Sequence, residues 1–97
     1  MHKILKDLGL LYRANKIHIG DKLFANLKEL RFIFIASDIG ANMQKKIYDK
    51  CSYYKIPYYN QFSSNDLSKA IGKNNIKIIG ISDGNYVNKL LLEIKEG

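Results

Sequence analysis

Tryptophan is absent from this 97-residue chain, and proline and cysteine occur once each, as Pro57 and Cys51. A lone thiol excludes an internal disulfide, and with only His2 and His18 beside it a structural zinc site lacks ligands. The expectation is a reducing compartment, the cytoplasm, with no metal and no cofactor. Long apolar runs are missing too: stretches such as Ile33 to Ala36 are far too short to span a bilayer. The Lys3/Lys6 start lacks the apolar segment of a secretory signal, so no membrane partner is expected. Acidic side chains are the scarcer charge, nine against 16 Lys plus Arg, for a net charge of +7. That excess favours a polyanionic partner, nucleic acid first. Only Arg13 and Arg31 are arginines, so phosphate contacts fall mainly to lysines acting as point charges.

What is present is globular in balance: 46% hydrophobic and 26% charged residues, enough for one core and too short for two. The whole of residues 1–97 is expected to form a single domain. Residues 1–48 carry +5 of the net charge and residues 49–97 carry +2, so the first half is the more electropositive.

Ile4, Leu5, Leu8, Leu11 and Tyr12 recur at helical spacing, predicting an amphipathic helix over residues 2–14 that ends at Asn15, a residue tolerant of left-handed backbone. Ile17-His18-Ile19 reads as a small strand and Gly20 as a turn. Leu23, Phe24, Leu27 and Leu30 resume helical spacing. Phe32 to Ala36 is an unbroken apolar run suited to a central strand covered on both faces. Beyond the Ser37–Gly40 loop, Met43, Ile47, Cys51 and Tyr54 mark a third helix, and Pro57 forces Ile56 into extended backbone before an aromatic strand, Tyr58 to Phe62. Ser63, three residues before Asp66, is a helix-capping signal for a short helix, Leu67 to Ile71. A Gly72–Asn75 turn, a strand from Ile76 to Ile81 and a last helix opening at Ser82–Asn85 complete the chain. Alternating strands and helices predict an α/β class with a sheet between helical layers.

A nucleophile beside a base, paired cleft carboxylates and a metal cluster all lack a signature here, and no glycine turn has the length or the Lys-Ser/Thr ending of a phosphate-binding loop of NTPases. The protein is therefore expected not to be an enzyme. Cys51 lies on the apolar stripe of its helix and reads as a packed thiol. Basic and amide side chains do stand beside glycine in three places: Arg13-Ala14-Asn15-Lys16, Gly20-Asp21-Lys22 and Gly72-Lys73-Asn74-Asn75. Gly20 ahead of a helix exposes backbone amides to a phosphate, and Lys22 and Asn26, four apart, project from one face of it. The same residues serve equally well as plain turns and solvent cover.

The order of pieces is nonetheless distinctive: Gly9-Leu10, then Arg13 to Lys16, Gly20, Phe32 to Asp38, Cys51 followed by Ile56-Pro57-Tyr58, and Asp66-Leu67-Ser68-Lys69-Ala70-Ile71-Gly72-Lys73. Across nearly the whole chain this resembles the YlxQ-like bacterial members of the ribosomal L-seven-Ae superfamily. The resemblance implies a three-layer α/β/α sandwich with a mixed four-stranded sheet. It also implies binding to structured RNA, particularly kink-turns, through the amino end of the second helix, with a Gly-x-Asn-Glu-x-x-Lys pattern. Here Gly20 matches, while Lys22, Leu23 and Asn26 stand where strong binders carry Asn, Glu and Lys. Loss of that carboxylate and amide removes direct base readout, and Lys22 offers phosphate or guanine contacts instead. The family's second contact, a loop whose apolar and backbone atoms pack on extruded nucleotides, falls on Ile71, Gly72, Lys73, Asn74 and Asn75.

The leading expectation is a non-catalytic, ribosome-associated RNA-binding protein, a monomer with kink-turn or ribosomal RNA as partner and no DNA. Arg13, Lys16, Gly20, Lys22, Asn26, Ile71, Gly72, Lys73 and Asn74 are its expected contacts. Two alternatives stand beside it. One is a protein-interaction module docking through Tyr53, Tyr54, Tyr58 and Tyr59. The other is a small magnesium enzyme using Ser37, Asp38 and Asp83 at strand ends.

Overall fold

The computed structural model describes residues 2–96. In chain order it contains α1 (Lys3–Arg13), β1 (Ile17–His18), α2 (Gly20–Ala25), a 3-10 turn (Leu27–Glu29), β2 (Phe32–Ile35), α3 (Ala41–Tyr54), β3 (Tyr58–Tyr59), α4 (Ser64–Ile71), β4 (Ile78–Ile81) and α5 (Gly84–Glu96). The strands form one sheet in the order β1-β4-β2-β3, with β4 antiparallel to both its neighbours and β3 parallel to β2.

Strand β2 is buried throughout, as its unbroken apolar run requires, and its alternation divides the core in two. Phe32, Phe34 and Ala36 face Leu8, Leu67 and Leu90 of α1, α4 and α5, while Ile33 and Ile35 face Leu23, Leu27, Ile47 and Cys51 of α2, the 3-10 turn and α3. That is the three-layer sandwich. Gly80 in β4 points to the second face, where a Cβ would lie 2.8 Å from a Leu30 methyl and 3.3 Å from one of Leu23. Its lack of a side chain lets the α2 segment sit close to the sheet. Gly9 does the same on the other face, bringing α1 against the Ala70 carbonyl of α4.

Local signals act as their chemistry dictates. Asn15 takes left-handed backbone (φ 59°), and Ser63 and Asp66 form a reciprocal capping box, each side chain accepting from the other residue's backbone N–H at 3.1 and 3.2 Å. Helix α4 starts directly after that cap, at Ser64, three residues ahead of the Leu67 expected from sequence. All four strands are shorter than their composition suggested, β2 only by Ala36. Strand β3 pairs only at Tyr58 and Tyr59, because the chain then turns Phe62 inward onto Phe34 and Tyr59 and leaves the ladder, apart from the Phe62 carbonyl accepting from Ser37 N–H at 2.8 Å. Strand β4 begins at Ile78, and β1 ends at His18. Helix α2 stops at Ala25, so Asn26 follows it as the cap.

Candidate nucleic-acid interface

Because β4 runs antiparallel to both β1 and β2, its amino end lies beside their carboxyl ends, with His18 opposite Gly80 and Ile35 opposite Ile78. Three connections therefore meet at one end of the sheet: the entry to α2, the entry to α3 and the turn from α4 into β4. They enclose an open cleft of ≈ 660 Å³ lined by Gly20, Leu23 and Phe24, by Gly40 to Met43, and by Asn75 to Ile78. Neither Ile19 nor Gly40, which precede α2 and α3, makes a side-chain cap hydrogen bond, so backbone N–H groups at two helix starts are left for solvent or a ligand. Gly20 enters α2 at φ +61° with open space where a Cβ would stand; conformation, not crowding, demands glycine there. The turn from α4 is built the same way, with Gly72 at φ +72° and Asn75 at φ +57°.

The residues expected from sequence divide among several places. Gly20 lines the cleft, and Lys22 stands exposed on the same short helix. Asn26 does not share a helical face with Lys22: it ends α2, donates from Nδ2 to the Lys22 carbonyl at 2.8 Å, and lines a different cavity. Ile71 is a core residue of the α1/α4/α5 face, since it falls on the same i, i+4 stripe as Leu67, and so is not available to pack on a nucleotide. Gly72 caps α4, and Lys73 reaches back over Tyr12 of α1, 5.8 Å from the ring centre. Asn74 and Asn75 border a polar cavity of ≈ 410 Å³ with Ser64, Asn65 and Ser68, and Asn75 also lines the main cleft. Lys16 lies at the opposite end of β1 from Gly20 and donates to Asp83 at 3.0 Å. Arg13 is exposed at the end of α1. Phe24, Asn42, Met43, Ile76 and Lys77 belong to the cleft and were not singled out by sequence reasoning. The signal for Asn42 and Met43 was their place just after the central strand's carboxyl end, where an α/β sheet opens its crevice.

The magnesium alternative fails on topology. Asp38 follows β2 and Asp83 follows β4, two antiparallel strands, so the carboxylates sit at opposite ends of the sheet. Each is already occupied. Asp38 accepts from the Ser64 hydroxyl and backbone N–H, both at 2.7 Å, and these bonds hold its carboxyl below the usual range. The Lys16 hydrogen bond, then the Tyr86 N–H, do the same for Asp83. Among the described residues no cluster of three His, Cys, Asp or Glu could hold a metal. Cys51 is buried and its thiol is pushed up to about 11, which suits packing and not nucleophilic attack. Of the four tyrosines expected for docking, Tyr54 packs on the α2/α3 face and Tyr59 on the other, while Tyr53 and Tyr58 are exposed.

His18 packs near α2, its Nε2 sharing a hydrogen bond with the Ser82 hydroxyl at 3.1 Å, while its buried Nδ1 has no partner among the described residues. Burial and then the charge of Lys22 lower its pKa, which disfavours the protonated ring.

The family model described as "Ribosomal protein L7Ae/L30e/S12e/Gadd45 family" matches residues 3–90. The chain belongs to this family. Two relatives, from Bacillus subtilis (strain 168) and Enterococcus faecium, are named RNA-binding protein YlxQ. The first is 36% identical over 89 residues, covering 87% of each chain. The second is 34% identical over 90 residues, covering 90% of this chain and 86% of the relative. A solved structure described as a protein with unknown function from Bacillus halodurans C superposes with a TM-score of 0.88 at 31% identity, covering 98% of this chain and 99% of that one. The Giardia lamblia 15.5kD RNA binding protein shares the L7Ae-type fold at a TM-score of 0.69 and 19% identity, over 94% of this chain and 80% of its own. Among the described residues no helix is long and apolar enough to cross a membrane.

Proposed function

We propose that this L7Ae-family chain binds structured RNA, without catalysis, in the cleft where the starts of α2 and α3 face the turn between α4 and β4. The observation that carries the reading is that convergence: two helix starts without side-chain caps, in a chain of net charge +7, open onto one crevice rimmed by Asn42 and Asn75. Helix N-termini and lysines hold phosphates, while the amides offer donors and acceptors to base edges. Both YlxQ relatives carry an RNA-binding name, which supports the same class of partner. The finer reading is a kink-turn or ribosomal RNA target, a monomer, no DNA partner, and a cytoplasmic, ribosome-associated role.

Within this reading Lys22 is the first basic contact, with Gly20 admitting the RNA backbone to the helix start. Arg13 and Lys73, beside the end of α1, form a separate basic flank. Lys16, paired with Asp83 at the far end of β1, contributes long-range attraction more than contact. Filter binding against a kink-turn and a straight duplex of equal length, across several salt concentrations, tests the proposal. The kink-turn is expected to bind more tightly, with log affinity falling by about 0.9 for each duplex phosphate neutralised per decade of salt. Lys22→Ala is expected to weaken binding roughly tenfold if Lys22 reads a guanine, or to reduce the salt slope by about 1 if it touches phosphate alone. Negligible binding to both RNAs refutes the reading.

A further inference from the structure

A second cavity, of ≈ 310 Å³, opens between the far end of α2 and the carboxyl end of α3. Phe24 lines both this cavity and the main cleft, so the two are neighbours across a single aromatic ring. The ammonium of Lys46, on α3, sits over that ring at 4.4 Å from its centre. On the far side the cavity offers Asn26, Lys28, Glu29 and the ring of Tyr54.

This set of groups has a recognisable chemistry. Phe24 and Tyr54 contribute aromatic groups to the cavity wall, a contact any nucleobase accepts. The amide nitrogen of Asn26 is committed to the Lys22 carbonyl, which leaves its oxygen as an acceptor, and Glu29 is a second acceptor. Exocyclic amino groups of bases are donors that match both. Lys28 and Lys46 supply the positive charge that a phosphate on either side of the base needs. A purely aliphatic occupant would leave the amide, the carboxylate and both ammonium groups unmatched.

Resting on the RNA reading above, we infer that RNA held in the main cleft continues across Phe24, and that an unpaired nucleotide flanking the structured element seats its base in the second cavity against Tyr54. Lys46 then leaves the Phe24 ring for the adjoining phosphate. The second cavity thus reads a single-stranded flank and adds affinity without recognising the folded element itself.

The test uses the full chain and a set of RNAs sharing one kink-turn: blunt, extended by about four unpaired nucleotides at either end in turn, and extended by the same number of abasic residues. One tail polarity is expected to bind about tenfold more tightly than the blunt RNA, and its abasic version to lose most of that gain. Lys28→Ala and Lys46→Ala, both at exposed positions, are expected to remove the gain while leaving blunt-RNA affinity within about twofold. Tyr54→Leu should do the same, with a thermal melt confirming that it folds. Equal affinity for blunt and tailed RNAs overturns this inference and leaves the RNA reading standing, as does an abasic tail that retains the full gain. Failure of every RNA to bind removes both.

Discussion

Replacing Gly9 by alanine sets two opposing effects of similar size against each other. Gly9 lies inside α1, where alanine stabilises a helix by about 1 kcal/mol relative to glycine. A Cβ at that position, however, lies 2.7 Å from the backbone carbonyl oxygen of Ala70, where ordinary contact begins at 3.4 Å. The obstacle is main chain of a packed helix, not a side-chain tip that swings aside, so α1 and α4 must separate by about 0.7 Å. A gap of that size forfeits a quarter to a half of each contact across the seam between Leu5 and Leu8 on one helix and Leu67 and Ile71 on the other. Insertions of this kind typically cost about 1–3 kcal/mol. Set against the helix gain, the expected net change is a loss of up to about 2 kcal/mol, a fall in Tm of at most roughly 15 °C for a domain of this size. Urea unfolding and a thermal melt by circular dichroism measure it. Gly9→Ala more stable than the parent by the full helix-propensity gain would refute the close-approach argument.

Two further outcomes follow from buried groups. His18 is held below its ordinary pKa, chiefly by burial and then by Lys22, so the unfolded chain takes up that proton first. Stability is therefore complete above about pH 6.5 and declines as pH falls from there toward the folded-state value. Asp38, Asp83 and Glu93, all held low by hydrogen bonds, contribute above their unfolded values and lose that contribution only below about pH 5. Urea midpoints at about pH 7.5, 6.5 and 5.5 should drop across the series and flatten in His18→Asn; a flat parent profile contradicts the assignment. Cys51→Ala removes a buried sulfur and is expected to cost about 1 kcal/mol while leaving RNA affinity unchanged, and the native thiol should react with alkylating reagents far more slowly than the unfolded one. Loss of RNA binding in a folded Cys51→Ala variant would contradict a packing role.

Much of the layer structure was legible because it rests on local signals. The Phe32 to Ala36 run, the helical stripes of α1 and α3, the Ser63 cap and the left-handed Asn15 each report on neighbours within a few residues. The resemblance supplied the sandwich, and the family match and the superpositions bear it out. Strand order was not legible, because pairing β1 with β4 joins residues more than sixty positions apart. The cleft inherits that gap: Gly20 was found from its turn, but Asn42, Met43, Ile76 and Lys77 join it only once β4 lies antiparallel to both β1 and β2. Ile71 was misplaced for the reverse reason. Its motif position suggested a ligand contact, whereas its spacing from Leu67 had already assigned it to the interior.

The two outermost strands, β1 and β3, have just two residues each. An intruding polypeptide laid along either rim would find only a couple of main-chain rungs to grip, too few to offset the entropy of straightening it. Templated fibril growth from the folded state is thus starved at its first step, and whatever this molecule recruits must be held by side chains and helix ends.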